Sequence, residues 1–151
     1  MSGRYFEDFK PGDRFETAAA TIDEGEMIEF ARRYDPQSFH LDAEAAKRSI
    51  FGELVGSGFL TMAMTWRLFF ATGVLGEANL GSPGFEEVRF TKPVRPGDAL
   101  RVAVEVVEAR PSATRPDRGV VRFQYRTYNQ RGEEVMSYLC RQFLKRRTAS
   151  N

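Results

Sequence analysis

Between positions 56 and 73 the chain reads GSGFLTMAMTWRLFFATG. Phe59, Leu60, Met62, Ala63, Met64, Trp66, Leu68, Phe69, Phe70 and Ala71 fall on every side of a helical wheel, with Thr61, Thr65 and Arg67 as the interruptions. A helix that is apolar all round predicts burial all round. The segment is shorter than the roughly 20 mostly apolar residues that a membrane span needs, so a core helix wrapped by other elements is expected. A different period follows it. From Leu100, the residues Leu100, Val102, Val104 and Val106 alternate with Arg101, Ala103, Glu105 and Val107, the signature of a half-buried strand. Val121, Phe123, Tyr125 and Thr127 alternate in the same way with Val120, Arg122, Gln124 and Arg126, and a last strand is expected over 135–145.

The punctuation between these segments supplies the rest. Residues 1–13 read as a turn-rich lead-in and 15–22 as a first strand. Thr21 followed by Glu24 matches a capping box opening a short helix that ends near Tyr34, because the residue before Pro36 is driven out of the helical region. AEAAK predicts a second short helix over 42–47. Residues 73–84 read as an irregular loop, 87–90 as a strand, PVRPGD at 93–98 as a turn and RPSATRPDRG at 110–119 as a polar loop. Asn129-Gln130-Arg131-Gly132 gives a hairpin turn, and the basic end after it is expected to fray. The order predicts an α+β fold in which a curled antiparallel sheet covers one long helix. A single sheet cannot enclose a helix or hide its own edges, so a homodimer is expected.

Composition narrows the function. A chain of 151 residues fits a single domain, 1–151, with a real core. The 22 basic and 21 acidic residues nearly cancel, which argues against nucleic-acid and acidic-membrane partners. Cys140 is the only cysteine, so no internal disulfide forms and no cysteine-built metal site is expected. The first residues lack the basic-then-apolar order of a signal peptide, and a cytoplasmic location is the expectation.

Candidate chemistry lies just before the long helix. YDPQSFH at 34–40 holds a carboxylate, Asp35, and the chain's only imidazole, His40, five positions apart. Histidine titrates near neutral pH, so such a pair can hold a water and move its protons. Gly56-Ser57-Gly58 opens the helix with backbone N–H groups that have no intrahelical partner and can face an anion or a polarised carbonyl. Trp66, two turns on, is a candidate for the acyl end of a pocket, where its bulk favours short or compact groups, or else a core filler. Arg110, Arg115 and Arg118 share one loop and are candidates for phosphate contact or plain solvated residues.

FARRYDPQSFHLDAEAAKRSIFGELVGSGFLTMAMTWRL, together with the PVRPGD turn, resembles the MaoC-like dehydratase family, which includes the (R)-specific enoyl-CoA hydratases. The family pattern runs Asp, any residue, Asn, Pro, an aliphatic residue and His, then His-Gly at the start of the helix. Its Asp falls on Asp35, its His on His40 and its glycine on Gly58. Gln37, Ser38 and Ser57 stand where the family has Asn, Pro and a second His. The resemblance implies a hot-dog fold and reversible hydration of a trans-2-enoyl thioester of coenzyme A. Asp35 and His40 would hold the water, the Gly58 N–H would bind the thioester oxygen, Ser57 would lie on the substrate side, and no metal or redox cofactor would be needed. Two other functions fit the fold: thioester hydrolysis, and acyl-CoA binding without turnover. Hot-dog thioesterases place a carboxylate on the central helix, and none occurs between Phe59 and Ala71.

Overall fold

The computed structural model describes residues 3–147. Three long strands, β5 (Ala99–Pro111), β6 (Arg118–Tyr128) and β7 (Glu134–Lys145), form the middle of an antiparallel sheet. Two short strands, β1 (Arg14–Glu16) and β2 (Ala20–Thr21), lie along the free side of β5. Another two, β3 (Asn79–Gly81) and β4 (Phe85–Phe90), share the far side of β7. The alternation read from the sequence places the core face as expected. Leu100, Val102, Val104, Val106, Val121, Phe123, Tyr125, Met136, Tyr138 and Cys140 are all buried.

The helices are α1 (Glu24–Tyr34), α2 (Ser38–Leu41), α3 (Ala43–Ala46) and the long α4 (Gly58–Phe70). α4 lies in the curl of the sheet, where Phe69 meets Phe123 and Tyr125 edge to face at 5.8 and 5.4 Å. Phe69 is fully buried, so Phe69→Ala should cost about 3–5 kcal/mol, read as a lowered urea midpoint with an unchanged slope.

α4 is not buried all round. Phe59 is 63% exposed and Ala63 and Arg67 face outward, because the sheet of one chain covers one side of the helix only. The buried side instead takes two of the supposed interruptions, Thr61 and Thr65. A threonine hydroxyl can be buried if it is bonded, and that of Thr65 donates to the Thr61 carbonyl and pairs with the hydroxyl of Thr127 on β6.

Other boundaries shift for local reasons. The strand expected over 15–22 breaks in two where Thr17 takes over the ladder, its N–H donating to the Val102 carbonyl and its hydroxyl accepting from the Val102 N–H. α1 is capped by Asp23, which accepts from the Glu26 N–H at 2.7 Å, rather than by the Thr21–Glu24 box. β3 lies within the expected 73–84 loop. β5 and β6 extend through Arg110 and Arg118, shortening the expected 110–119 loop. The PVRPGD turn forms with Asp98 accepting from the Arg95 N–H and Gly97 in the left-handed region that favours glycine. The two ends of the described chain meet, Arg147 donating twice to the Asp8 carboxylate and Arg146 once to Glu7. The basic end expected to fray runs on into residues 148–151, outside the described residues.

Candidate active site

Asp35 is the residue at which α1 stops, its N–H closing the last turn on the Ala31 carbonyl. The chain then turns through Pro36 into α2, a four-residue helix absent from the sequence expectation, which carries His40 back toward Asp35. His40 Nε2 stands 3.4 Å from Asp35 Oδ2, and both side chains are largely buried. On the other side of the ring, His40 Nδ1 lies 2.7 Å from the Val55 carbonyl oxygen. A carbonyl only accepts, so Nδ1 carries a proton and donates. Nε2 then faces Asp35, carrying a lone pair when the ring is neutral and an N–H donor when it is protonated.

Two further donors hold the carboxylate. Gln37 Nε2 donates to Oδ1 and Ser57 Oγ donates to Oδ2, each at 2.7 Å. Burial pushes the Asp35 carboxyl up, but the hydrogen bonds from Ser57 and Gln37, helped by the adjacent imidazole, outweigh it and hold the group below the usual carboxylate range. Asp35 is therefore an anion at neutral pH.

Ser57 is also the N-cap of α4, its Oγ accepting from the Phe59 N–H at 3.1 Å. Gly58, the first residue of the helix, has an N–H with no carbonyl a turn behind it. Asp35, His40 and Gly58 line one cavity of about 530 Å³, within the range of small-molecule sites. Its walls are mostly apolar: Phe39, Phe51, Val55, Phe59, Phe90, Val94 and Val135, with Thr61 further along α4 and Lys92 also part of the lining. One turn beyond Thr61, Thr65 is fully buried, pairs with Thr127 and takes no part in the lining. The Gly56 N–H, bonded to the Val94 carbonyl at 2.8 Å, joins the wall formed by the PVRPGD turn to the helix start.

The structure thus brings Asp35, His40 and Gly58 to one cavity, which the other four candidates do not line. Ser57 is fully buried and absent from the cavity lining, its hydroxyl committed to Asp35 and the helix cap. Trp66 packs in an aromatic cluster with Phe70, Phe85 and Tyr125 and is absent from the cavity lining. Arg110 and Arg115 lie toward the opposite end of the β5–β6 hairpin from Arg101 and Tyr128, about 30 Å along the strands at 3.3 Å per residue. Arg110 sits in β5 with its guanidinium 3.9 Å from Glu108.

Sequence reasoning missed the Val55 carbonyl and the wall at 90–94. A Cβ at position 58 would fall 2.5 Å from Cε1 of the half-exposed Phe90, so a larger residue there displaces that ring. The backbone at 58 is ordinary helix, so the missing side chain makes room for the Phe90 ring.

The model of the MaoC like domain matches residues 8–125, and the chain belongs to that family, with its hot-dog fold. The structure of the MaoC-like dehydratase from Rhodospirillum rubrum is 40% identical, with a TM-score of 0.91 over 97% of this chain and all of that one. The (R)-hydratase PhaJ1 from Pseudomonas aeruginosa is 28% identical, with a TM-score of 0.72 over 97% and 92% of the two chains. The mesaconyl-CoA hydratase of Cereibacter sphaeroides is 30% identical over 155 residues, covering 91% of this chain but only 40% of that protein.

Proposed function

We propose that the protein is a hydro-lyase that reversibly adds water across the double bond of a trans-2-enoyl-CoA, giving a 3-hydroxyacyl-CoA. The observation that carries this reading is that an anionic Asp35, an imidazole whose Nε2 faces it, and the amide at the head of α4 share one mostly apolar cavity. Water donates one hydrogen to Asp35 and the other to His40 Nε2, so its oxygen is aimed at the β-carbon. As the C–O bond forms, one water proton passes to the dyad, and a proton is returned to the α-carbon on the same face. The thioester oxygen, gaining enolate charge, is met by the Gly58 N–H, a fixed donor in a site of low dielectric. Coenzyme A enters as part of the substrate, and no resident cofactor takes part. The hydratase names of two relatives support the class of reaction.

The apolar side chains left exposed on the start of α4 and along β4, among them Phe59, Phe85, Val88 and Phe90, support a homodimer, since β4 offers an unpaired strand edge. Light scattering should then give twice 17.2 kDa.

Crotonyl-CoA is the direct test of the reaction. Loss of absorbance from the conjugated double bond, without release of free thiol, is the expected result. Thiol release would instead establish thioester hydrolysis, and binding without either change would reduce the protein to an acyl-CoA receptor.

A further inference from the structure

We propose that Ser57 is a positioning residue: one buried hydroxyl sets the orientation of the Asp35 carboxylate and, by the same atom, the start of the helix that presents the Gly58 amide. This rests on the hydratase reading and adds to it a part that does not touch substrate. Ser57 is wholly shielded from solvent, and its Oγ has two partners, donating to Asp35 Oδ2 at 2.7 Å and accepting from the Phe59 N–H at 3.1 Å. The hydroxyl has a single proton. Bonding to Asp35 uses it, leaving lone pairs for the amide, so the two bonds are compatible and each fixes the other's geometry. Residues 35 and 57 are separated by α2, α3 and a loop, yet this one atom ties the end of α1 to the start of α4.

The consequence is chemical as well as geometric. With Gln37 on Oδ1 and Ser57 on Oδ2, each carboxylate oxygen has a donor, and the pair fixes the plane in which the remaining lone pairs face the cavity. A charge-assisted hydrogen bond of this length favours the ionised carboxylate. The groups facing Asp35 are His40 from α2, Gln37 from the intervening turn and Ser57 ahead of α4. The lysine lining the same cavity, Lys92, is paired with Glu133 at 3.0 Å. Removing the Ser57 proton therefore acts on Asp35 with no lysine or arginine paired to it among the described residues.

The test separates the two consequences of the hydroxyl, on the carboxylate and on the helix start. Ser57→Gly deletes both bonds of the hydroxyl, but glycine is well tolerated at an N-cap, so the helix start is kept at little cost and the lost donor to Asp35 is what remains to be read. Ser57→Ala repeats the deletion with the Cβ retained, and Ser57→Thr restores a hydroxyl. The Asp35 carboxyl is followed by carbon-13 NMR, its signal identified by its loss in Asp35→Asn, alongside the pH profile of kcat/KM with crotonyl-CoA. In Ser57→Gly and Ser57→Ala the carboxyl titration and the acid limb of the profile should both move up by about one pH unit, a tenfold change in the ionisation constant, and Ser57→Thr should bring both back. A carboxyl titration unmoved in both donorless variants, with only thermal stability lowered, would overturn the proposal and leave Ser57 as a helix cap. If every variant and the wild type lack hydratase activity, the reaction reading fails, while the NMR titration still decides the role of Ser57.

Discussion

Asp35→Asn and His40→Ala each lower the rate of crotonyl-CoA hydration by about 10²–10⁴-fold, with the fold intact by circular dichroism. In Asp35→Asn the change in size is negligible, but an acceptor-only group becomes one with two N–H donors. The amide nitrogen then takes the place of an oxygen that accepts from Gln37 Nε2 or Ser57 Oγ, so one of those bonds is lost or reversed. The carboxylate's charge is lost with it, and with that the acceptor for the water proton. In His40→Ala the lone pair at Nε2 disappears and the Val55 carbonyl is left without its partner. That orphaned acceptor should lower the melting temperature modestly, so rate and stability must be measured on the same samples. Wild-type rates in both variants would remove the dyad from the mechanism.

The second large effect is expected at an atom that no side-chain substitution reaches. Gly58 is the first residue of α4, where proline fits a helix because its missing N–H has no intrahelical partner there. The preceding residue, Ser57, has φ −63° and ψ 137°, the extended conformation that a residue before proline adopts. Gly58→Pro thus deletes the proposed oxyanion donor and keeps the helix. The obstacle is the Phe90 ring, 2.5 Å from where the new Cβ would lie, so the substitution belongs in a Phe90→Ala background. There Gly58→Pro should lower kcat by about 10²–10³-fold, whereas Gly58→Ala in the same background keeps its N–H and should retain most of the rate. Equal rates in the two double variants would mean that the amide at 58 takes no part.

The contrast between Gly58 and Ser57 shows how far the sequence could be read. Elements whose identity follows from a local period were legible: the alternation along β5 and β6, the breaking of α1 before Pro36, and the turn closed by Asp98. The resemblance also picked out Asp35, His40 and Gly58, three positions that line one cavity. What depends on distant partners was not legible. Thr65 looks like a polar interruption on a helical wheel until Thr127, 62 positions later, supplies its bond. Trp66 is two turns from the site in sequence terms, but the aromatic rings of Phe85 and Tyr125 draw it into a separate cluster. Arg110 and Arg115 were grouped by closeness in the chain, while strand length carries them to the other end of the sheet. Ser57 stands where the family has histidine, and nothing in its neighbours announced that its hydroxyl would turn toward Asp35.

The pairing of Arg147 with Asp8, and of Arg146 with Glu7, holds the entry and exit of the described chain side by side. Cutting at the tip of the 112–117 turn and joining the old ends through a short flexible peptide would give a circularly permuted sequence. In it the three long strands, α4 and every residue around the cavity would keep their present neighbours. The order in which the segments are written along the polypeptide is, for this architecture, separable from the arrangement that they build.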